Sequence, residues 1–305
     1  MNSADPRQAQ SHALTGILLA AVGAIAFSGK AIIVKLGFRY GADAITLLAL
    51  RMLVALPFFL LLGWWSSRRR ITPLLPADRW KIIVLGFLGY YLASFLDFLG
   101  LAYITATLER LILYLTPTIV LLIGVLAFKR PVTPRQLLAL LISYAGVILA
   151  FAHDLSVGGG NIALGGGLVF LSALSYSLYL VGSGEIVARV GAIRLTAYAS
   201  SVACVLCIGQ YLLLRPLGMA FALPNEVWWL SLLNGTFCTV LPVLAVMMAV
   251  ARIGPAITAQ IGMLGPVSTI VLSLLLLGEP MGPWQIAGTA LVLVGVFVVS
   301  RTKRT

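Results

Sequence analysis

Charge is what this sequence is poorest in. Only 10% of its 305 residues are charged, against about 25% in an ordinary soluble domain. Hydrophobic residues make up 61%, more apolar surface than a water-soluble fold of this length can hide. The solvent for most of the chain is therefore lipid. Metal-binding residues are scarce too. His12 and His153 stand apart with no partner His or Cys beside them, so neither a metal nor a cofactor is expected. Cys204 and Cys207 have the CxxC spacing of redox and zinc motifs. They and Cys238 fall inside apolar runs, where cysteine reads as a small buried hydrophobe.

Also missing is a G-x-x-x-x-G-K-[ST] phosphate cradle, and the longest polar stretch between apolar runs, residues 65–80, is too short for a folded aqueous domain. ATP-driven pumping by this chain alone is not expected. A membrane-embedded enzyme is disfavoured as well: no nucleophile stands beside a histidine, and acid–base work would rest on Asp97 with Glu109 alone. A channel is disfavoured by the lack of a ring of like charges.

What is present is a series of long apolar runs. Spanning a bilayer core takes roughly 20 apolar helical residues, and ten stretches qualify: 14–36, 44–64, 81–102, 104–128, 135–152, 164–188, 192–214, 226–250, 254–278 and 283–300. Runs such as Ile119-Val120-Leu121-Leu122-Ile123 do not alternate as the strands of a barrel would, so the expectation is an all-α membrane protein. The first run is longer than a signal-peptide core and reads as a membrane helix.

Basic residues sort by connection. One set of connections holds Arg7, Arg68, Arg69, Arg70, Arg79, Lys81, Lys129, Arg130, Arg135, Arg189, Arg194, Arg252, Arg301, Lys303 and Arg304. The opposite set holds only Arg39 and Arg215. Short basic loops stay in the cytoplasm, so both termini are expected there, with the chain multi-pass in an inner membrane. The basic surplus is a topology signal and no sign of nucleic-acid binding.

Shifting the chain by 149 residues aligns its landmarks without a gap. Gly16 meets Gly165, Gly86 meets Gly235, Ile104 meets Ile253, Pro117 meets Pro266, Pro131 meets Pro280, Gln136 meets Gln285 and Gly146 meets Gly295. Five spans per half is odd, so the second half enters the membrane from the opposite side, as in the inverted repeats of secondary transporters. The halves are expected at 14–152 and 163–301, with tails at 1–13 and 302–305. The Gly158-Gly159-Gly160 and Gly165-Gly166-Gly167 runs read as a flexible joint between them.

Tyr103-Ile104-Thr105-Ala106 opening the fourth span, Thr116-Pro117 within it, and Gly278-Glu279-Pro280 before Gln285 and Gly295 resemble the EamA-type members of the drug/metabolite transporter superfamily. Lys129-Arg130-Pro131 departs from that pattern, which usually has a Gly-Glu-Arg-like turn there. The resemblance implies ten helices, cytoplasmic termini and a central cavity built largely by the third, fourth, eighth and ninth spans. It also implies efflux of amino acids or other metabolites.

Ionisable residues inside a membrane are costly and by default functional. Lys30, Lys35, Arg51, Asp97, Glu109 and Arg110 fall in one slab of the first half, and the 149-residue shift gives none of them a charged counterpart. The expectation is that Asp97 and Glu109 pair with some of the bases, and that a remaining Lys or Arg meets a carboxylate-bearing substrate through a charge-assisted bond. Either carboxylate would also carry a proton, making the proton a candidate coupling ion. Lys35 is read as reaching up to the surface. Tyr114, Tyr176, Tyr179, Asn234, Thr239, Thr258 and Gln260 are candidate cavity residues, and Pro117 and Pro266 candidate hinges. A small-molecule carrier is the resulting expectation, with a broad-specificity drug exporter as the alternative.

Overall fold

The computed structural model describes residues 6–69, 73–128, 134–158, 160–262, 264–279 and 282–301. Among them the regular elements are all helical. They are α1 (Pro6–Arg39), α2 (Ala44–Arg69), α3 (Pro76–Gly86), α4 (Ala93–Leu101), α5 (Ala106–Leu113), α6 (Thr116–Phe128) and α7 (Pro134–Gly158). The second half holds α8 (Gly160–Val190), α9 (Ala192–Leu214), α10 (Leu217–Phe221), α11 (Asn225–Gly235), α12 (Leu241–Gly262), α13 (Leu264–Leu272) and α14 (Pro283–Arg301).

Among the described residues seven helical segments are long and apolar enough to cross a bilayer: Leu14–Arg39, Ala44–Arg68, Pro76–Leu101, Ala106–Leu126, Asn161–Gly184, Ala192–Leu214 and Asn225–Val246. A helix closes all its backbone hydrogen bonds within itself, which lipid demands. Shorter apolar helices cover Leu141–Ala150, Val267–Leu277 and Pro283–Gly295. Large apolar side chains such as Leu126, Leu213 and Leu275 stand more than half exposed, the inverse of a soluble surface and natural against acyl chains.

Two joints differ from the sequence expectation. The loop expected near 251–253 is absent, because α12 continues as helix to Gly262. The second glycine run is likewise no joint but lies inside α8. Its Gly165 brings two helices together: a Cβ there would lie 2.7 Å from Ile104 Cγ2 and 2.7 Å from Tyr103 Cβ.

The same crossing recurs 149 residues away. A Cβ on Gly16 would lie 2.6 Å from Ile253 Cγ2 and 3.0 Å from Arg252 Cβ. Gly86 presses on the Ala199 carbonyl of α9, and Gly235 on the Arg51 carbonyl of α2. A π-helical stretch at Phe87–Leu92 joins α3 to α4, and another at Thr236–Val240 joins α11 to α12. Such turns widen a helix and turn the residues after them to a new face, often at functional sites.

Proline explains the broken helices. Pro117 has no N–H for the carbonyl four residues back, and the helix is interrupted between α5 and α6 at Tyr114 and Leu115. The Leu113 carbonyl accepts instead from the Thr116 hydroxyl at 2.6 Å. Pro266 likewise leaves the Gly262 carbonyl without a helical donor, and the Tyr114 hydroxyl donates to it at 2.9 Å. The side chains of Pro117 and Pro266 lie outside the described residues.

The bundle has two distinct ends. At the basic end, buried Asp78 of α3 pairs with Arg189 of α8, while its Oδ2 also accepts the Leu75 amide at 3.1 Å. Ser67 and Tyr198 share a 2.6 Å hydrogen bond there. At the far end Asp43 pairs with Arg215 at 2.6 Å, and Arg39 donates to the Leu277 carbonyl.

Candidate binding chamber

A cavity of about 630 Å³ lies in the middle of the bundle, walled by both halves of the chain. Its wall has a direction. On α1 the lining ends at Lys30, on α2 it begins at Arg51, on α4 it ends at Asp97 and on α5 it begins at Arg110. All other lining residues on those helices lie toward the basic end, as do Thr196, Ser200, Val246 and Thr258 of the second half. The charged groups thus form the blind end of a chamber that extends toward the basic loops.

Lys30 anchors this floor. Its Nζ donates to Asp97 Oδ2 at 2.6 Å and stands 3.2 Å from Glu109 Oε1. All three side chains are buried, Glu109 completely. Glu109 sits behind the wall rather than on it. Neither of its carboxylate oxygens, nor Asp97 Oδ1, receives an aligned hydrogen bond among the described residues. Two carboxylates thus share one ammonium in surroundings where an unpaired charge is expensive.

Both arginines are held differently. Arg110 donates from Nε to Thr269 Oγ1 at 3.0 Å and from Nη2 to the Phe27 carbonyl at 3.1 Å. Arg51 donates from Nε to Thr239 Oγ1 at 2.8 Å and stacks over the Phe98 ring at 5.2 Å. Its Nη1 is buried with no partner. Thr239 in turn donates to the Asn234 carbonyl at 2.7 Å, closing the gap the π-helical stretch opens. Among the described residues neither arginine reaches a carboxylate. The sequence left open which of the bases the two acids take; the structure puts both on Lys30, while Lys35 stands by Glu279.

Of the other sequence candidates, Tyr114, Tyr176, Thr239 and Thr258 line the chamber. Tyr179 is buried behind the wall, with its hydroxyl 3.2 Å from that of Tyr90. Asn234 is also buried off the wall. The Gln260 side chain lies outside the described residues. Sequence reading missed Phe27, Tyr90, Ser94 and Ser172, which line the chamber without a charge to mark them. The cysteines are buried and unpaired with one another, as expected, and no metal-holding cluster occurs among the described residues.

Glu279 was quoted in the sequence only as part of a turn. It is a junction at the far end. Its carboxylate accepts the Ala106 amide at 3.1 Å, receives the Ser273 hydroxyl, and stands 3.9 Å from Lys35 Nζ. Lys35 is thereby tied to the turn that follows the π-helical stretch Ser273–Leu277 instead of reaching freely for the surface. Glu279 caps the N-terminus of α5 from the turn after Gly278, where a negative charge meets the positive end of the helix dipole. The contacts among Glu279, Lys35, Arg39, Asp43 and Arg215 lie beyond the blind end of the chamber.

The bundle thus encloses a central, largely apolar chamber with charged groups gathered at one end. The EamA-like transporter family matches residues 14–152 and again 163–301. The chain belongs to that family, and its transmembrane character and role as a transporter follow from it. Among curated relatives, the uncharacterized transporter YcbK of Bacillus subtilis (strain 168) is 30% identical over 301 residues, covering 94% of this chain and 92% of that one. The uncharacterized transporter YyaM of the same organism is 26% identical over 226 residues, 72% of each chain. A solved structure described as "Crystal structure of protein" matches with a TM-score of 0.59 at 17% identity over 96% of both chains. It shares the fold.

Proposed function

We propose that this protein is a secondary transporter that exports a small carboxylate-bearing metabolite across the inner membrane by alternating access. The observation that carries this reading is the blind-ended chamber whose floor holds Arg51 and Arg110 without a carboxylate partner, one of them with a buried, unused N–H donor. A buried donor without an acceptor costs free energy, and a bound carboxylate removes that cost. Arginine's planar fork suits a carboxylate better than a point charge does.

We further read the chain as ten crossings in two inverted five-helix units, residues 14–152 and 163–301, with both termini cytoplasmic. The paired glycine crossings and the two corresponding π-helical stretches support it. On this reading the chamber opens to the cytoplasm, and the Glu279 junction seals the outside. Exchanging the conformations of the two units would open the opposite face. Pro117 and Pro266 are the hinge points. Asp97 and Glu109 against Lys30 leave one negative charge uncompensated, so a single proton neutralises the triad and makes the proton a natural coupling ion.

Purified protein in liposomes, offered organic anions, amino acids and vitamins with and without a pH gradient, tests the whole. The reading expects saturable flux of a carboxylate, lost on esterification and altered by the gradient. Preferred flux of apolar cations would favour the broad-specificity drug exporter instead. Terminal reporter tags found on opposite faces would end the inverted-repeat reading.

A further inference from the structure

Carboxylate-bearing metabolites divide into those that also carry an ammonium group and those that do not, and the chamber wall is unequal toward them. Resting on the transporter reading above, we infer that the ligand is an organic monoanion with an apolar or aromatic body and no compensating amine, anchored by Arg51.

The first support is the census of charge. Among the described residues the wall carries Lys30, Arg51 and Arg110 as cations and Asp97 as the one acid. Its Oδ2 takes the Lys30 ammonium at 2.6 Å, while its Oδ1 is buried without a hydrogen-bond partner among the described residues. Glu109 is off the wall and fully buried behind the same ammonium. Counting Glu109 behind the wall, the cations Lys30, Arg51 and Arg110 outnumber the acids by one, so an α-ammonium group adds to a positive surplus that a bare carboxylate offsets. With both carboxylates ionised, the three cations leave one positive charge over, and one monoanion brings the floor to neutrality.

The second support is the orphaned donor. Arg51 Nη1 is buried without a partner in a side chain 5% exposed that borders the chamber. Arg110 has its Nε and Nη2 already committed to Thr269 and Phe27. Arg51 Nη1 is thus a donor without an acceptor among the described residues, in a side chain held by Thr239 and the Phe98 ring. The third support is the wall on the open side of the charges. Phe27, Phe59, Tyr90, Tyr114 and Tyr176 present ring faces and edges there, suited to an apolar body pointing away from the floor.

A matched trio of ligands with one phenyl body tests this: 3-phenylpropionate, phenylalanine and 2-phenylethylamine. Binding to the full-length protein in detergent, read by ligand-induced shift of the melting temperature, should rank the anion first and leave the amine without effect. Arg51→Gln should weaken 3-phenylpropionate about 30-fold, the loss expected on truncating one side of a buried charged pair. If that variant fails to fold, the methyl ester of 3-phenylpropionate makes the same test from the ligand side and should not bind. Phenylalanine or the amine binding as well as the anion, or no binding of the anion, overturns the inference. Flux of phenylalanine in liposomes would overturn it while leaving the transporter reading intact. A protein that moves no solute in the broad panel but still binds the anion would do the reverse.

Discussion

The Tyr114 hydroxyl donates to the Gly262 carbonyl at 2.9 Å. It ties the break in one proline-interrupted helix to the carbonyl freed by the proline of another. The bond costs nothing in regular helix structure, because Pro266 has no N–H to offer that carbonyl. Tyr114→Phe removes the tie without changing the ring. The expected loss is about 1 kcal/mol of stability, that of a typical hydrogen bond, together with a changed rate of exchange between open faces. Thermal unfolding and single-turnover flux check the two parts. A variant that matches the parent in both would remove Tyr114 from the hinge.

Lys30 faces two carboxylates, which makes its environment tolerant of one loss and not of two. Asp97→Asn leaves Lys30 with Glu109, and Glu109→Gln leaves it with Asp97. Each single variant should be only mildly destabilised. The double variant strands a buried ammonium, which costs about 3–5 kcal/mol. Melting curves of the four proteins measure the non-additivity, and single losses as large as the double one would contradict the shared pairing. Flux in the same variants reads the coupling role separately: a proton-linked carrier should lose its response to a pH gradient in at least one single variant.

Much of this site was legible in the sequence because charge is so rare there. A Lys, Arg, Asp or Glu inside an apolar run announces itself, and helix direction put Lys30, Arg51, Asp97, Glu109 and Arg110 at one depth. Which charges pair was not legible. That depends on how α1 crosses α4 and α5, and no spacing encodes a crossing. Of the two candidates on that span, Thr239 lines the chamber and Asn234 does not, a difference that polar residue type alone does not encode. Glu279 was passed over because its partners, Ala106 and Lys35, are remote in sequence.

Glu279→Gln should weaken the far-end seal. The amide still accepts from Ala106 but no longer balances Lys35 or the dipole of α5. With the three buried cysteines replaced by alanine and Ser94→Cys placed on the chamber wall, a membrane-impermeant thiol reagent added outside should label the Glu279→Gln protein and spare its parent. Equal labelling of both would show that Glu279 seals nothing.

Asp43 makes the far-end contact with Arg215 pH-dependent. Burial alone would raise its carboxyl pKa, but the Thr46 amide and Arg215 outweigh burial and hold it below the ordinary carboxylate value. A carboxyl with a depressed folded pKa adds stability above its unfolded value, about 3.9, and loses it as pH falls through the folded one. The contact is therefore intact at neutral pH and fails only in strong acid. Melting temperature followed from pH 7 down to about pH 3 should fall more steeply for the parent than for Arg215→Gln. Identical slopes would mean the pair contributes nothing.

The glycine crossings give the sharpest contrast in the fold. Gly16 and Gly165 each leave no room for a methyl group, with Ile253 Cγ2 at 2.6 Å from the one and Ile104 Cγ2 at 2.7 Å from the other. Gly167, on the opposite face of the same helix as Gly165, has nothing within 4 Å. Alanine at Gly16 or Gly165 must push two helices apart or force a side chain from its rotamer, at about 1–3 kcal/mol. Alanine at Gly167 meets open space and gains the helix propensity that glycine lacks, up to about 1 kcal/mol. Gly16→Ala and Gly165→Ala should therefore lower the melting temperature by similar amounts, while Gly167→Ala holds or raises it. The similarity of the first two matters most: the contacts repeat 149 residues apart, so unequal losses would mean the two crossings are not equivalent in packing.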